Sequence, residues 1–278
     1  MTMAGRSRDP LRTLAELERQ LEALERGGVR WLNVAPDPQA APAGSATAGV
    51  TVPAAAPAPD ARAAPPAPAA AGAAAATGAA AAGGADDERP HPSALATLDA
   101  LRGAFAECRA CKLCEGRRQV VFGVGHPRPR LLFVGEGPGA DEDAQGEPFV
   151  GRAGALLTGL IRALGLVRDD VYITNVVKCR PPGNRTPEPD EVASCRPILQ
   201  RQIELLDPRL IVCLGNVPLK VLKPEAAGIT RERGVLFTYQ RWSVLPTFHP
   251  SYLLRNPAAI EACWKDFRTA LQLGYLRT

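Results

Sequence analysis

From residue 94 onward the sequence predicts an α/β fold, a three-layer αβα sandwich around a central four-stranded, mainly parallel sheet. Three observations predict it. Short apolar runs bounded by turn residues recur at 130–134 (RLLFV), 171–177 (VYITNVV), 209–214 (RLIVCL) and 243–248 (SVLPTF). Stretches with helical spacing lie between them at 152–164, 188–206 and 217–222, and a final one at 258–273 closes the block. Strands that alternate with helices form βαβ units, whose sheet is parallel and covered on both faces. In such open sheets ligands gather at the carboxyl ends of the strands, and the residues just after these runs carry unusual chemistry.

The preceding part of the chain has a different character. Residues 1–34 hold one amphipathic segment, with Leu11, Leu14, Leu17, Leu21 and Leu24 at helical spacing and Gly27-Gly28 as its stop. Its apolar stripe suits the groove of a protein partner, and a solvated helix with one sticky face would look the same. Residues 35–93 are almost wholly Ala, Pro and Gly. A segment of that composition cannot bury enough apolar surface to offset its ordering entropy, so it is expected to be a disordered linker. Residues 94–278 then form one domain.

The net charge of +4 and pI near 8.8 permit nucleic-acid binding without demonstrating it. No stretch is apolar and long enough to span a bilayer, and MTMAGRSRDP lacks the apolar core of a signal peptide. A cytoplasmic, membrane-free protein is expected, and a monomer.

Three strand ends stand out. After the first comes GEGPGADEDAQGEPFVGR (135–152), whose Gly135, Gly137 and Gly139 let backbone amides approach a planar or anionic ligand. A dinucleotide fingerprint would open directly into a helix, and Pro138 with the acidic stretch interrupts it. The second strand delivers Asn175, whose amide carries both donors and an acceptor and can pair with the polar edge of a base. The fourth runs into Phe248-His249-Pro250-Ser251-Tyr252. A lone Asn or His at such a place is usually structural; a glycine loop, an Asn and a His at one edge indicate a ligand site.

There are seven cysteines, and an odd number in a cytoplasmic chain argues against a disulfide framework. CRACKLC supplies Cys108, Cys111 and Cys114 as overlapping C-x2-C pairs, followed by Cys179 and Cys195. Four thiolates suit tetrahedral zinc and a cubane cluster alike, and spacing does not separate the two. Cys213, within an apolar run, and Cys263, on a helical pattern, read as ordinary buried thiols.

The motifs GEGPG, EPFVGRAG, YITNVVKCRPPGNRTPEPDE and FHPSYLLRNP, in that order, resemble the family 4 uracil-DNA glycosylases, the iron-sulfur members of the uracil-glycosylase superfamily. The likeness runs from Cys108 to the C-terminus and leaves out the N-terminal helix and linker. It implies a monofunctional glycosylase of base excision repair that flips uracil from single- or double-stranded DNA and hydrolyses its N-glycosidic bond. It implies a [4Fe-4S] cluster on Cys108, Cys111, Cys179 and Cys195, with Cys114 a bystander. In the pocket it implies Phe149 stacked on the base, Asn175 paired with O4 and N3–H, backbone groups of Glu136 and Gly137 near the base, and His249 beside O2. Glu142 falls near C5, where it would exclude the thymine methyl or orient water; Asn184 is the weaker candidate for the water.

Two departures from other branches of the superfamily matter. Gly137 stands where family 1 enzymes carry a water-activating Asp, and CRPPGNRTP holds no His, so a covalent DNA adduct is not expected. Phosphate contacts are expected from Arg152, Lys178, Arg180, Arg185, Arg231, Arg233 and Arg255, with Leu253 or Leu254 as a wedge into the duplex.

Overall fold

The computed structural model describes residues 90–275. The expected N-terminal helix (1–34) and nearly all of the expected linker (35–93) lie outside the described residues. Six strands form one sheet: β1 (Val124–Gly125), β2 (Leu131–Gly135), β3 (Tyr172–Asn175), β4 (Leu210–Leu214), β5 (Phe237–Tyr239) and β6 (Trp242–Thr247), in the order β1-β3-β2-β4-β6-β5. The four expected strands are its parallel centre, with Gly135 opposite Asn175 and Val134 opposite Cys213. The sheet is nevertheless wider than the four strands predicted. β1 and β5 add an antiparallel edge on each side. Neither is a legible run: β1 is two residues beside Gly123, and β5 is three residues reached through Gln240, which adopts a φ of +53° in place of the usual hairpin Asn or Gly.

The central strands are apolar throughout because both faces are covered. Leu131, Phe133, Ile173, Val212 and Leu245 pack beneath helices α3 (Arg152–Ala163), α7 (Pro250–Arg255) and α8 (Ile260–Gln272). Leu132, Val134, Tyr172, Ile211 and Val244 face the opposite layer, made by α4 (Pro189–Leu206) and α5 (Asn216–Leu222). Neighbours in sequence thus serve different cores, as the two-residue period of a strand requires. A smaller cluster of Leu101, Phe105, Cys108, Phe122 and Ile198 seats α1 (Leu98–Ala104) on α4.

Two further short helices, α2 (Ala140–Gln145) and α6 (Ile229–Glu232), complete the pattern. The acidic stretch after the glycine loop is α2: Asp141, Glu142 and Asp143 all fall in its first turn, where negative charge is favoured. β3 ends at Asn175, short of the predicted 177, since the amides of Val176 and Val177 bond to the carbonyls of Gly135 and Glu136 in the loop after β2.

β2 sends the chain to β3 on one side, and β4 sends it to β6 on the other. This reversal opens a crevice at the carboxyl ends of the central strands. The wall of that crevice depends on Gly154 in α3, where a Cβ would lie 1.8 Å from the Phe149 carbonyl oxygen. Gly154→Ala is therefore expected to destabilise the domain by about 1–3 kcal/mol, as core overpacking does, and to displace Phe149; an unchanged denaturation midpoint would show that the 149–154 turn yields freely.

Candidate active site and cysteine cavity

An open cleft lies at the carboxyl ends of β2, β3 and β6. Glu136, Gly137 and Glu142 line it from the loop after β2, together with Phe149. Asn175 enters from β3, Asn184 and Arg185 from the following loop, and His249 and Arg255 from the segment after β6. Residues far apart in sequence are thereby brought to one place.

Phe149 sits at φ +55°, an uncommon conformation for a bulky side chain, and its surroundings hold it there. Glu142 accepts from the amides of Val150 (3.0 Å) and Gly151 (3.1 Å) with one oxygen and from Gly139 (3.0 Å) with the other. Arg168 donates to the carbonyls of Phe149 (3.1 Å) and Pro148 (2.8 Å). The carboxylate of Glu142 is therefore bound into the frame of the loop. Arg168, absent from the sequence reading, is a second holder; it precedes β3 in a 3-10 turn (Arg168–Asp170), where no motif flags it.

Asn175 is 1% exposed, and its Oδ1 has no hydrogen-bond partner. A buried polar atom without a partner is rare and marks a place where a ligand donor belongs. The surroundings are tight: a Cβ on Gly135 would fall 2.4 Å from this oxygen and 2.6 Å from Cζ of Phe149. The His249 ring lies 5.5 Å from that of Phe149, centroid to centroid. His249 caps α7, its Nδ1 accepting the Ser251 amide at 3.1 Å. That bond leaves the ring proton on Nε2. Burial, reinforced by the charge of Arg255 and opposed by Glu142, pushes the imidazole down to about 4. Burial also raises the carboxyl of Glu136, against a hydrogen bond from Thr186.

The expected DNA contacts divide. Arg152 and Arg231 are exposed, and Arg255 is exposed on the cleft itself. Arg180 donates to Asn184 Oδ1 at 2.7 Å. Three others have partners inside the fold. Lys178 is 2% exposed, and its ammonium is engaged internally. Arg185 forms a fork to the buried Glu191 at 2.8 and 2.6 Å. Arg233 binds Asp266 at 2.7 Å and stacks over Phe248. The expected wedge is internal too: Leu253 is fully buried and Leu254 packs against the core, whereas Tyr252, 39% exposed, stands at the cleft.

A second, narrow cavity is lined by Cys108, Cys111, Cys179 and Cys195, with Cys114, Arg117 and Lys178 around it. Among the described residues no three His, Cys, Asp or Glu side chains are grouped closely enough to hold one metal ion. Burial pushes the Cys179 thiol up to about 12 and that of Cys195 to about 11. Donors nonetheless point at the sulfurs. Arg117 Nη1 lies 3.5 Å from Cys179 Sγ, and the backbone amides of Lys178 and Leu113 face Cys195 and Cys111. Sulfurs that line one cavity and receive N–H donors suit a thiolate-bound metal centre.

The family model described as the uracil DNA glycosylase superfamily matches residues 122–268. A type-4 uracil-DNA glycosylase of Thermotoga maritima is 53% identical over 152 residues, covering 54% of this chain and 79% of that protein. Those of Sulfurisphaera tokodaii and Archaeoglobus fulgidus are each 42% identical, over 187 and 182 residues; 64% and 63% of this chain and 85% and 92% of theirs are covered.

The geometry of His249 makes a prediction of its own. Since its folded pKa lies below the unfolded value of about 6.5, protonation favours the unfolded chain, and stability falls as pH drops below that value toward the folded pKa of about 4. Nitrogen-15 spectra are expected to show a neutral ring protonated on Nε2 at pH about 6; a charged ring at that pH would contradict the assignment.

Proposed function

Because this chain belongs to the uracil DNA glycosylase superfamily, we propose that it removes uracil from DNA by hydrolysing the N-glycosidic bond, leaving an abasic site for base excision repair. The observation that carries the reading of the pocket is the unpartnered Oδ1 of buried Asn175 beside Phe149 and His249.

A base stacked in DNA is out of reach of any such site, so the nucleotide must be turned out of the strand. Phe149 replaces the lost stacking. Asn175 accepts N3–H of uracil at Oδ1 and donates from Nδ2 to O4. Cytosine would oppose acceptor to acceptor at N3 and donor to donor at N4, and a site built on such bonds rejects the mismatch strongly. As the bond to the sugar breaks, negative charge accumulates on O2. The Nε2–H of neutral His249 donates to that oxygen and so acts chiefly in the transition state. Glu142, bound to the amides of residues 139, 150 and 151, shapes the pocket wall through the loop it holds. Glu136 and Asn184 line the same cleft and are the groups available to orient the attacking water. Arg152, Arg180 and Arg255 supply phosphate contacts, and Tyr252 is the aromatic at the cleft on which a neighbouring base can stack.

The cysteine cavity is assigned to a [4Fe-4S] cluster on Cys108, Cys111, Cys179 and Cys195. The four sulfurs come from the segment after α1, the segment after β3 and helix α4. A cluster bound there supplies covalent bracing among three parts of the chain and a local negative charge.

Incubation with a uracil-containing oligonucleotide followed by alkali is expected to give scission at uracil; no abasic sites would sink the activity. His249→Ala is expected to slow excision about 10²–10³-fold, the usual consequence of losing one such donor. Asn175→Asp is expected to lose activity or relax discrimination against cytosine, and full activity with unchanged selectivity would misplace the pocket. Purified protein is expected to be brown with about four irons per chain; zinc alone would overturn the cluster.

A further inference from the structure

Lys178 is an unusual residue for its position. Its ammonium, 2% exposed, donates to Thr174 Oγ1 (2.7 Å), the Asn175 carbonyl (2.6 Å) and Gln202 Oε1 (2.5 Å). All three acceptors are neutral, and Gln202 is itself fixed by its bond to the Phe122 carbonyl at 2.9 Å. A buried charge that meets only dipoles is costly, and such charges are ordinarily paired. The groups that would carry opposite charge once a cluster is bound are the sulfurs of Cys179 and Cys195, which line the same cavity as Lys178.

The cavity has a second cation. Arg117 is half-buried and donates to Cys179 Sγ at 3.5 Å. A [4Fe-4S] cluster with four thiolates carries a net charge of about −2 in its ordinary oxidised state. One Lys and one Arg match it. From this balance, resting on the cluster assignment above, we propose that Lys178 and Arg117 are the counter-charges of the cluster, and that Lys178 also ties the cluster to uracil recognition by holding the Asn175 carbonyl.

The first half of this proposal acts on the cluster. Cations and N–H donors beside cluster sulfurs favour the more reduced, more negative state and so raise the reduction potential; they also stabilise the bound anion against loss. The second half acts on the pocket. Thr174, Asn175, Lys178 and Cys179 stand within six consecutive residues, so one ammonium fixes the peptide of the base-reading Asn next in sequence to a cluster ligand. Arg117, by contrast, bonds to the sulfur and not to β3. Lys178 is therefore a positioning residue, and Arg117 acts on the cluster alone.

The test uses the full chain purified anaerobically in three forms: wild type, Lys178→Met and Arg117→Met. The potential is read by spectroelectrochemistry, iron retention by release to a chelator, and recognition by excision of uracil against cytosine. Both variants are expected to show a lower potential and several-fold faster iron release. Lys178→Met alone is expected to raise KM for uracil DNA or weaken discrimination while its iron is still bound. Lys178→Gln, which keeps a donor without the charge, is expected to lower the potential as Lys178→Met does. Should Lys178→Met fail to fold, the potentials of Lys178→Gln and the half-buried Arg117→Met decide the first half. Unchanged potential and iron release in iron-loaded variants would overturn the counter-charge and leave the cluster standing. A wild-type protein without iron would overturn the cluster, and the counter-charge with it.

Discussion

Everything at the site converges on the turn after β3, where the chain must deliver Asn175 to the cleft and Cys179 to the cysteine cavity only four residues later. The backbone manages this by leaving the ladder and bonding instead to the loop after β2, through Val176 to Gly135 and Val177 to Glu136. The Lys178 ammonium then fills the inside of the turn, where three acceptors meet it. The polar hub is buried and fully engaged, so the turn is rigid where an ordinary surface loop would be mobile. The proposed base recognition and the proposed cluster binding are in this way two faces of one short segment.

The opposite wall of the pocket is organised by a different constraint. Phe149 occupies a left-handed conformation, and three independent features keep it there: the carboxylate of Glu142, the guanidinium of Arg168 and the missing side chain of Gly154. Strain of this kind persists only where the surroundings over-determine it, and here the product is an aromatic ring set against His249. His249 is preorganised by the same logic, since a backbone amide fixes its tautomer and burial keeps it neutral. A donor fixed in this way needs no reorganisation if it serves, as proposed, where charge develops on the base.

Much of this was legible in the sequence. Apolar runs covered on both faces announced the parallel centre, and the residues after them, Gly135, Asn175 and His249, announced the crevice. The edge strands were not legible because β1 and β5 are too short to carry a pattern and depend on pairing with β3 and β6. Basic residues are hard to read for a related reason. Lys178, Arg185 and Arg233 look like phosphate contacts by proximity to motifs, yet each has an internal partner that only the fold supplies: Gln202 on α4, Glu191 in the first turn of α4, and Asp266 on α8. Leu253 shows the converse, a residue assigned to DNA that the six-residue helix α7 turns into the core, leaving Tyr252 outside. Arg168 was invisible altogether, since two of its partners are carbonyls, which leave no mark in a sequence, and the third is the hydroxyl of Thr158 on α3.

The central claim is that cluster and pocket are joined through the turn after β3. It is tested most directly by preparing folded protein with graded iron content and measuring single-turnover excision of uracil in each fraction. The account predicts that the excised amount rises in proportion to the cluster present and approaches zero without it. Undiminished excision by folded, iron-free protein would contradict it.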